Sequence, residues 1–269
     1  MTADPRTGLR THATLRIADG QTTAIEDHVI EETPVALLYN DLPFAVMMAT
    51  PTDLEDFALG FAVSEGIVGA PAEFALVDIV RNDDGIALHA AIPQRRYDAI
   101  VDRQRAFEGR SGCGLCGTDA LRPVLAPLPA VRTRQRWRSD SVHAALARLA
   151  QAQPLNARSG GVHAAGVALD DAMLVREDVG RHNAVDKALG ALLRASPAPA
   201  VENGLLAITS RASFEIVRKA ARAGCPTIAA LSAPTDLAIR QADAAGITLI
   251  AFARDRRMNV YSHPGRILA

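Results

Sequence analysis

Two thiols stand three residues apart in GRSGCGLCGTDAL, residues 109–121: Cys113 and Cys116, set among Gly112, Gly114 and Gly117. Several chemistries use such a pair. A structural zinc site needs four ligands, and no second CxxC occurs in the chain. Zinc nucleobase deaminases combine H-x-E with a following P-C-x-x-C. The nearest match here, His163-Ala164-Ala165, lacks the glutamate and comes after the cysteines. His163, Cys113 and Cys116 can still meet in space, so a zinc hydrolase of the deaminase type stays open. A thioredoxin-like dithiol follows a strand and opens a helix. This pair instead follows QRRYDAIVDRQRAFEGR, residues 94–110, a charged stretch that reads as irregular. Two incidental surface thiols are the bland reading, against which stands their liability to oxidation.

A thiol carrier fits the local sequence best. A thiolate attacks the sulfur–sulfur bond of another protein and takes over its terminal sulfur, which requires exposure, reach and a lowered thiol pKa. Flanking glycines give Cys113 backbone freedom. Thr118 or Asp119 capping a short helix through DALRPVL would put Cys116 near a positive helix end, with Arg110 as a nearby cation.

Such a loop needs a scaffold. The chain has 269 residues, 49% hydrophobic and 22% charged, with a net charge of −1. Those values fit a soluble globular protein and exclude a global field that draws it to nucleic acid or membrane. No apolar run is long enough to span a bilayer, and the N-terminus lacks a signal-peptide core, so the cytoplasm is the expected compartment. An odd cysteine count excludes a disulfide framework.

Residues 11–50 alternate as strands, with turns expected at Asp19-Gly20 and Asn40-Asp41. A helix follows over TPTDLEDFALGFAVSEGI, with Thr50 or Thr52 as cap and Gly66 as stop. FALVDIVRNDDGIALHAAI reads as a hairpin turning at Asp84-Gly85. Residues 122–140 form a Pro- and Arg-rich connector whose Arg132, Arg134, Arg136, Trp137 and Arg138 read as a solvated linker. Beyond the helix SVHAALARLAQA, two strands pair across Asp170-Asp171, and Asp178 caps a helix over 179–195. His182 and Asp186, four apart on that helix, read as a structural contact. The last seventy residues alternate as βαβαβ, with Cys225 starting a buried strand as a small hydrophobe. The expected fold is α/β, a layered sheet with helices on its faces plus a smaller strand-rich N-terminal part. The division is 1–108, a loop at 109–121, and a cofactor-binding domain at 122–269.

SGCGLCG at 111–117 resembles the CGxCG loop of the formate dehydrogenase accessory sulfurtransferases, the FdhD family. SGGVHAAGVA at 159–168, REDVGRHNAVDKALG at 176–190, TSRASFEIVRKAARAGCPTIAALSAPTDLAI at 209–239 and AGITLIAFARDRRMNVYSHPGRI at 245–267 are similar to it in collinear order. The N-terminal third matches more loosely, through EDFALGFAVSEGIV at 55–68. The resemblance implies a cytidine-deaminase-like core and a sulfur relay. Sulfur comes from a cysteine desulfurase as a persulfide, with Cys113 as carrier and Cys116 assisting. It passes to the metal of a bis(molybdopterin guanine dinucleotide) cofactor before insertion into formate dehydrogenase. That cofactor is substrate rather than a permanent group, guanine nucleotide should occupy the same site, and a two-fold homodimer is implied. A cofactor-binding chaperone without sulfur chemistry is the rival.

Ligands of open α/β sheets sit beyond the carboxyl ends of strands, beside helix N-termini. Here those places hold Ser210, Ser213 and Ser232. The resemblance adds Phe252, Ala253, Arg254, Asp255, Arg256 and Arg257, whose arginines suit a pyrophosphate. His163 either lines the same pocket or is a buried, bonded histidine.

Overall fold

The computed structural model describes residues 8–108, 126–169, 172–195 and 200–269. Strands β1 (Leu9–Ala18) and β2 (Gln21–Ile30) form a two-stranded arm. It turns at Asp19-Gly20, where φ values of 50° and 75° give the left-handed pair that a tight hairpin needs. β3 (Thr33–Tyr39) and β4 (Leu42–Ala49) turn in the same way at Asn40-Asp41. With β5 (Ala75–Asn82) and β6 (Gly85–Ala91) they make a four-stranded sheet, order β4-β3-β6-β5. The β5–β6 turn is one residue earlier than the expected Asp84-Gly85. Gly85 pairs with Asn82, whose Oδ1 accepts the N–H groups of Asp84 and Gly85 (both 3.0 Å) and leaves Asp83-Asp84 as the corner.

Helix α1 (Leu54–Ser64) packs on the inner face of this sheet, against Val35, Leu37 and Leu88. Neither Thr50 nor Thr52 caps it. Its N-cap is Asp53, in a left-handed conformation without a side-chain cap bond, because Thr50 is drawn into a buried network described below. Gly66, at φ 73°, ends the turn after the helix as expected. The stretch from 94 is not irregular: α2 (Gln94–Glu108) is helical, and its Ile100 and Tyr97 reach the core.

The C-terminal part is the expected alternation. Trp137–Arg138 is a short strand, β7, leading into α3 (Ser139–Gln151) and α4 (Pro154–Ser159). The strands β8 (His163–Leu169) and β9 (Ala172–Asp178) pair antiparallel, then come α5 (Arg181–Arg194), β10 (Leu205–Ile208), α6 (Phe214–Ala223), β11 (Thr227–Ala230), α7 (Asp236–Ala245) and β12 (Thr248–Arg254). β13 (Arg257–Val260) adds an antiparallel edge, and β14 (Ile267–Leu268) pairs with β7. The six-stranded order is β13-β12-β11-β10-β8-β9. Every residue of β10 and β11 is buried, as expected of parallel strands covered on both faces. Val142, Ala145, Leu146 and Leu149 of α3 cover one face. Helices α5, α6 and α7 cover the other, in a cluster that also takes in Tyr39, Leu59, Val63 and Ile92 from the N-terminal part. Cys225 lies buried just before β11, as read from sequence. Among the described residues no helix is long and apolar enough to cross a membrane.

The two sheets meet through α1 and α5, which cross at glycines. A Cβ on Gly60 would lie 1.8 Å from the Asp186 carbonyl oxygen, and one on Gly190 would lie 1.8 Å from that of Asp56. Around this crossing, Asp56 accepts from Arg176 Nε (2.8 Å) and Arg194 Nη1 (2.6 Å). Lys219 Nζ donates to Asp186 (2.9 Å), Glu65 (2.8 Å) and Ser64 (3.1 Å). Since both clashing atoms are backbone, Gly60→Ala or Gly190→Ala should separate the helices and cost about 3 kcal/mol, the upper end of overpacking effects. Urea denaturation of the purified variants checks this; an unchanged midpoint would show that the crossing is looser than described.

Candidate functional site

The cysteines that carry the strongest chemical reading, Cys113 and Cys116, lie outside the described residues, as do Arg110, Thr118 and Asp119. What the structure does place is the ground on which a ligand would sit. β10, β11 and β12 run parallel, so their carboxyl ends share one edge, and β8 runs against β10 so that its first residue, His163, arrives at that edge too.

Across the edge the residues follow strand order. His163 faces Asp178, the last residue of β9. Beside it, Thr209 closes β8 onto β10: its N–H donates to Ala164 O (3.1 Å), and its Oγ1 accepts from Ala164 N–H (3.0 Å). Ser210 follows, nearly buried, its hydroxyl donating to Arg211 O (3.1 Å). Ser213 is the N-cap of α6, in extended geometry and without a side-chain cap bond. After β11, Ser232 lies half-buried, and its carbonyl accepts from Phe252 N–H (3.1 Å). The Ala212–Pro234 bridge ties the two loops together. Thr235 then caps α7, its side chain accepting from Ala238 N–H (3.3 Å). Thus His163, Ser210, Ser213, Ser232 and Phe252, chosen from sequence, gather along one sheet edge.

The segment 252–257 is a hairpin rather than the free end of a strand. Arg254 pairs with Arg257, and Asp255 (φ 53°) and Arg256 (φ 56°) form the turn. Phe252, in a bulge, has φ 51°, a conformation that costs a bulky residue strain and is held only when the surroundings enforce it. Ala253 is buried in the α3-side core, while the three arginines are exposed. Arg256 turns towards α3, with Nη2 3.3 Å from Asp140 Oδ1. Arg254 and Arg257 are exposed cations at this edge, as is Arg211 beside Ser210.

Sequence reasoning missed the start of α5. Asp178 is not its cap: the N-cap is Gly180. Asp178, wholly buried, is the hub of a network. It accepts from Thr50 N–H (3.0 Å), Gly180 N–H (2.7 Å) and Asn183 Nδ2 (3.0 Å), and Lys187 Nζ lies 2.7 Å away. This fixes the first turn of α5, and Arg181 and His182 with it, beside His163. Asp186 bonds Ser64 and Lys219. His182 instead lies 4.0 Å from Glu215. Arg181 Nε and His182 Nε2 are buried with no hydrogen-bond partner among the described residues. The only signal for them was position, at a strand-to-helix junction.

Both histidines are held below the ordinary imidazole pKa. Burial is the main cause for each, with Arg181 adding repulsion at both and Lys219 at His182. Glu215 goes the opposite way from its own burial: the Ser213 hydroxyl, a backbone N–H, His182 and Arg181 together bring it below the usual carboxylate value. Neutral imidazoles, arginine donors and helix N-termini at one edge suit an anionic, hydrogen-bonding ligand. Among the described residues no group of three or more His, Cys, Asp or Glu side chains is placed to hold a metal ion.

Three comparisons bear on this arrangement. The sequence model of the FdhD/NarQ family matches residues 30–268. A "Sulfur carrier protein FdhD" from Xanthomonas campestris pv. campestris (strain B100) is 48% identical over 273 residues, covering 99% of this chain and 96% of that protein. A protein of the same name from Cupriavidus necator is 44% identical over 262 residues, covering 96% and 90%. The crystal structure of a protein described as a formate dehydrogenase accessory protein, from Desulfotalea psychrophila, is similar with a TM-score of 0.74 and 27% identity. It covers 97% of this chain and 99% of that one.

Depressed histidine pKa values make stability depend on pH with a definite sign. Below the ordinary imidazole pKa the unfolded chain binds protons that folded His163 and His182 refuse, so acid favours unfolding. The melting temperature should fall as pH drops through about 6.5, the unfolded imidazole value. His163→Gln and His182→Gln should each flatten that fall, as read by calorimetry between pH 7.5 and 5.5.

Proposed function

The chain belongs to the FdhD/NarQ family, and on that premise we propose that it is a sulfur carrier that serves formate dehydrogenase, with Cys113 as the carrying thiol. The observation that supports this best is the CGxCG loop, SGCGLCG at 111–117, standing in a chain that matches named sulfur carriers over almost its whole length. The donor in this reading is a cysteine desulfurase. Cys113 thiolate attacks the outer sulfur of the donor's persulfide, the donor's cysteine leaves as thiolate, and Cys113 becomes the persulfide.

The acceptor is the metal of a bis(molybdopterin guanine dinucleotide) cofactor, handled as substrate. Its nucleotide ends would lie along the carboxyl edge described above. Arg254 and Arg257 would meet pyrophosphate, the N-terminus of α6 would present backbone N–H groups, and His163 and His182 would offer neutral ring nitrogens. Cys116 completes the chemistry: its thiolate attacks the inner sulfur of the Cys113 persulfide and expels the outer sulfur as sulfide. The products are one metal-bound sulfide and one Cys113–Cys116 disulfide, which a cellular thiol reductant reopens. Two guanine ends in one cofactor fit two subunits related by a two-fold axis. The setting is the cytoplasm, where thiols stay reduced between turnovers.

Two variants separate sulfur chemistry from simple cofactor binding. Cys113→Ala should leave guanosine diphosphate binding, measured by calorimetry, within twofold of wild type. It should also abolish activation of formate dehydrogenase in cells lacking their own copy. Activation retained by Cys113→Ala would make the protein a chaperone for the cofactor. Arg254→Ala/Arg257→Ala should do the reverse, weakening the nucleotide at least tenfold while Cys113 still accepts sulfur.

A further inference from the structure

Helices α5 and α6 pack together with their first turns at the carboxyl edge, and two pairs of side chains bridge them like rungs. His182 and Asp186 stand one turn apart on α5; Glu215 and Lys219 stand one turn apart on α6. The inner rung is closed: Lys219 Nζ lies 2.9 Å from Asp186, and both side chains are buried. The outer rung, nearer the edge, is open. His182 Nε2 lies 4.0 Å from Glu215 Oε2, beyond hydrogen-bond reach, and has no hydrogen-bond partner among the described residues.

A buried ring nitrogen without a partner costs free energy until something closes on it. Glu215 is an equally awkward neighbour for a seat that takes an anion. Its carboxylate is 45% exposed in the first turn of α6, where it would repel a phosphate unless a cation stood beside it. Among the described residues, the one ion-pair partner of Glu215 within 4.0 Å is His182. Protonation resolves both difficulties. A neutral imidazole has one N–H donor and one acceptor, whereas its cation has two donors. One can close on Glu215, and the other is left for the anion.

The surroundings keep that proton off the free protein. Around His182 stand Arg181 on its own helix, Lys219 and Glu215 on α6, and Glu65 on α1. Glu65 is already matched by Arg218 (2.9 Å) and Lys219 (2.8 Å). The strands beside α5 end in His163 and Asp178, and Asp178 is matched by Lys187 at 2.7 Å. Burial, Arg181 and Lys219 together outweigh Glu215 and Glu65, so the empty edge holds His182 neutral. A bound phosphate supplies the negative charge that reverses this balance.

We propose that His182 takes up a proton as a phosphate-bearing ligand enters the edge, and that the imidazolium closes on Glu215 and clasps the first turns of α5 and α6 around the anion. The assignment rests on the nucleotide site proposed above and makes a proton the companion of the ligand. The sign follows from linkage. A group that binds its proton more tightly in the complex than in the free protein makes the ligand bind more tightly as pH falls.

The test is titration calorimetry of the full chain with guanosine diphosphate in two buffers of different ionisation enthalpy, which counts protons taken up per nucleotide. The nucleotide's own phosphate titrates at about pH 6, so the quantity read is the difference between wild type and His182→Gln. At about pH 7 wild type should take up about half a proton more than the variant, as for an imidazole moved from below about 6.5 to above about 7.5. Glu215→Gln should lose most of that uptake, although it removes a negative charge from an anion site. Both side chains are partly exposed, and circular dichroism checks that each variant folds. Nuclear magnetic resonance reads the event directly: the His182 imidazole, assigned by its loss in His182→Gln, should titrate about one pH unit higher with nucleotide bound. Equal uptake by wild type and His182→Gln, with the nucleotide bound to both, would overturn the proposal and leave the nucleotide site standing. Full uptake by Glu215→Gln would overturn the closing pair. A wild type that binds no guanosine diphosphate would overturn the site itself, and the proton with it.

Discussion

The glycine crossing of α1 and α5 governs how the two sheets sit together. Backbone meets backbone at Gly60 and Gly190, closer than any side chain would permit. Helices that near must satisfy the polar groups they bury, and the chain does so with charge. Its two lysines, Lys187 and Lys219, are both buried, one against Asp178 and the other between Asp186 and Glu65. Removing one partner from such a pair leaves an unmatched buried charge, at a cost of about 3–5 kcal/mol. The ions therefore hold the helices in one relation more firmly than apolar packing alone, which tolerates sliding.

That relation reaches the candidate site through Asp178. The same carboxylate that accepts Thr50 N–H from the N-terminal part ends β9 opposite His163 and holds the first turn of α5, where Arg181 and His182 begin. The carboxyl edge of the six-stranded sheet is thus braced by the N-terminal sheet rather than resting on its own loops. At the far end of the same edge Phe252, a bulky residue, takes left-handed backbone before the Asp255-Arg256 turn. Rigid bracing on one side and a strained hairpin on the other define a fixed platform.

What was legible in the sequence followed local physics. Asp19-Gly20 and Asn40-Asp41 announce tight hairpins because those residues tolerate positive φ. The apolar strands and capped helices after residue 200 spell out βαβαβ without help from distant contacts. The errors came where a distant partner decided the outcome. Thr50 and Asp178 looked like helix caps, but they bond each other across the two halves of the chain. The 94–108 segment looked irregular because its charges outnumber its apolar residues, yet a stripe with Tyr97 and Ile100 suffices to dock it. β13 was missed because Asp255-Arg256 carries no glycine to mark its turn. The serines and His163 were found because a rule about strand ends applies whatever the tertiary detail; Arg181 and His182 needed the strand order itself.

Sulfur on Cys113 is the claim from which the rest of the function follows, and it is measured directly by incubating the protein with a cysteine desulfurase and cysteine, then mapping peptides under non-reducing conditions by mass spectrometry. The expected result is one added sulfur atom on the Cys113 peptide, absent when the desulfurase is omitted. An unmodified Cys113 beside a demonstrably active desulfurase would contradict it.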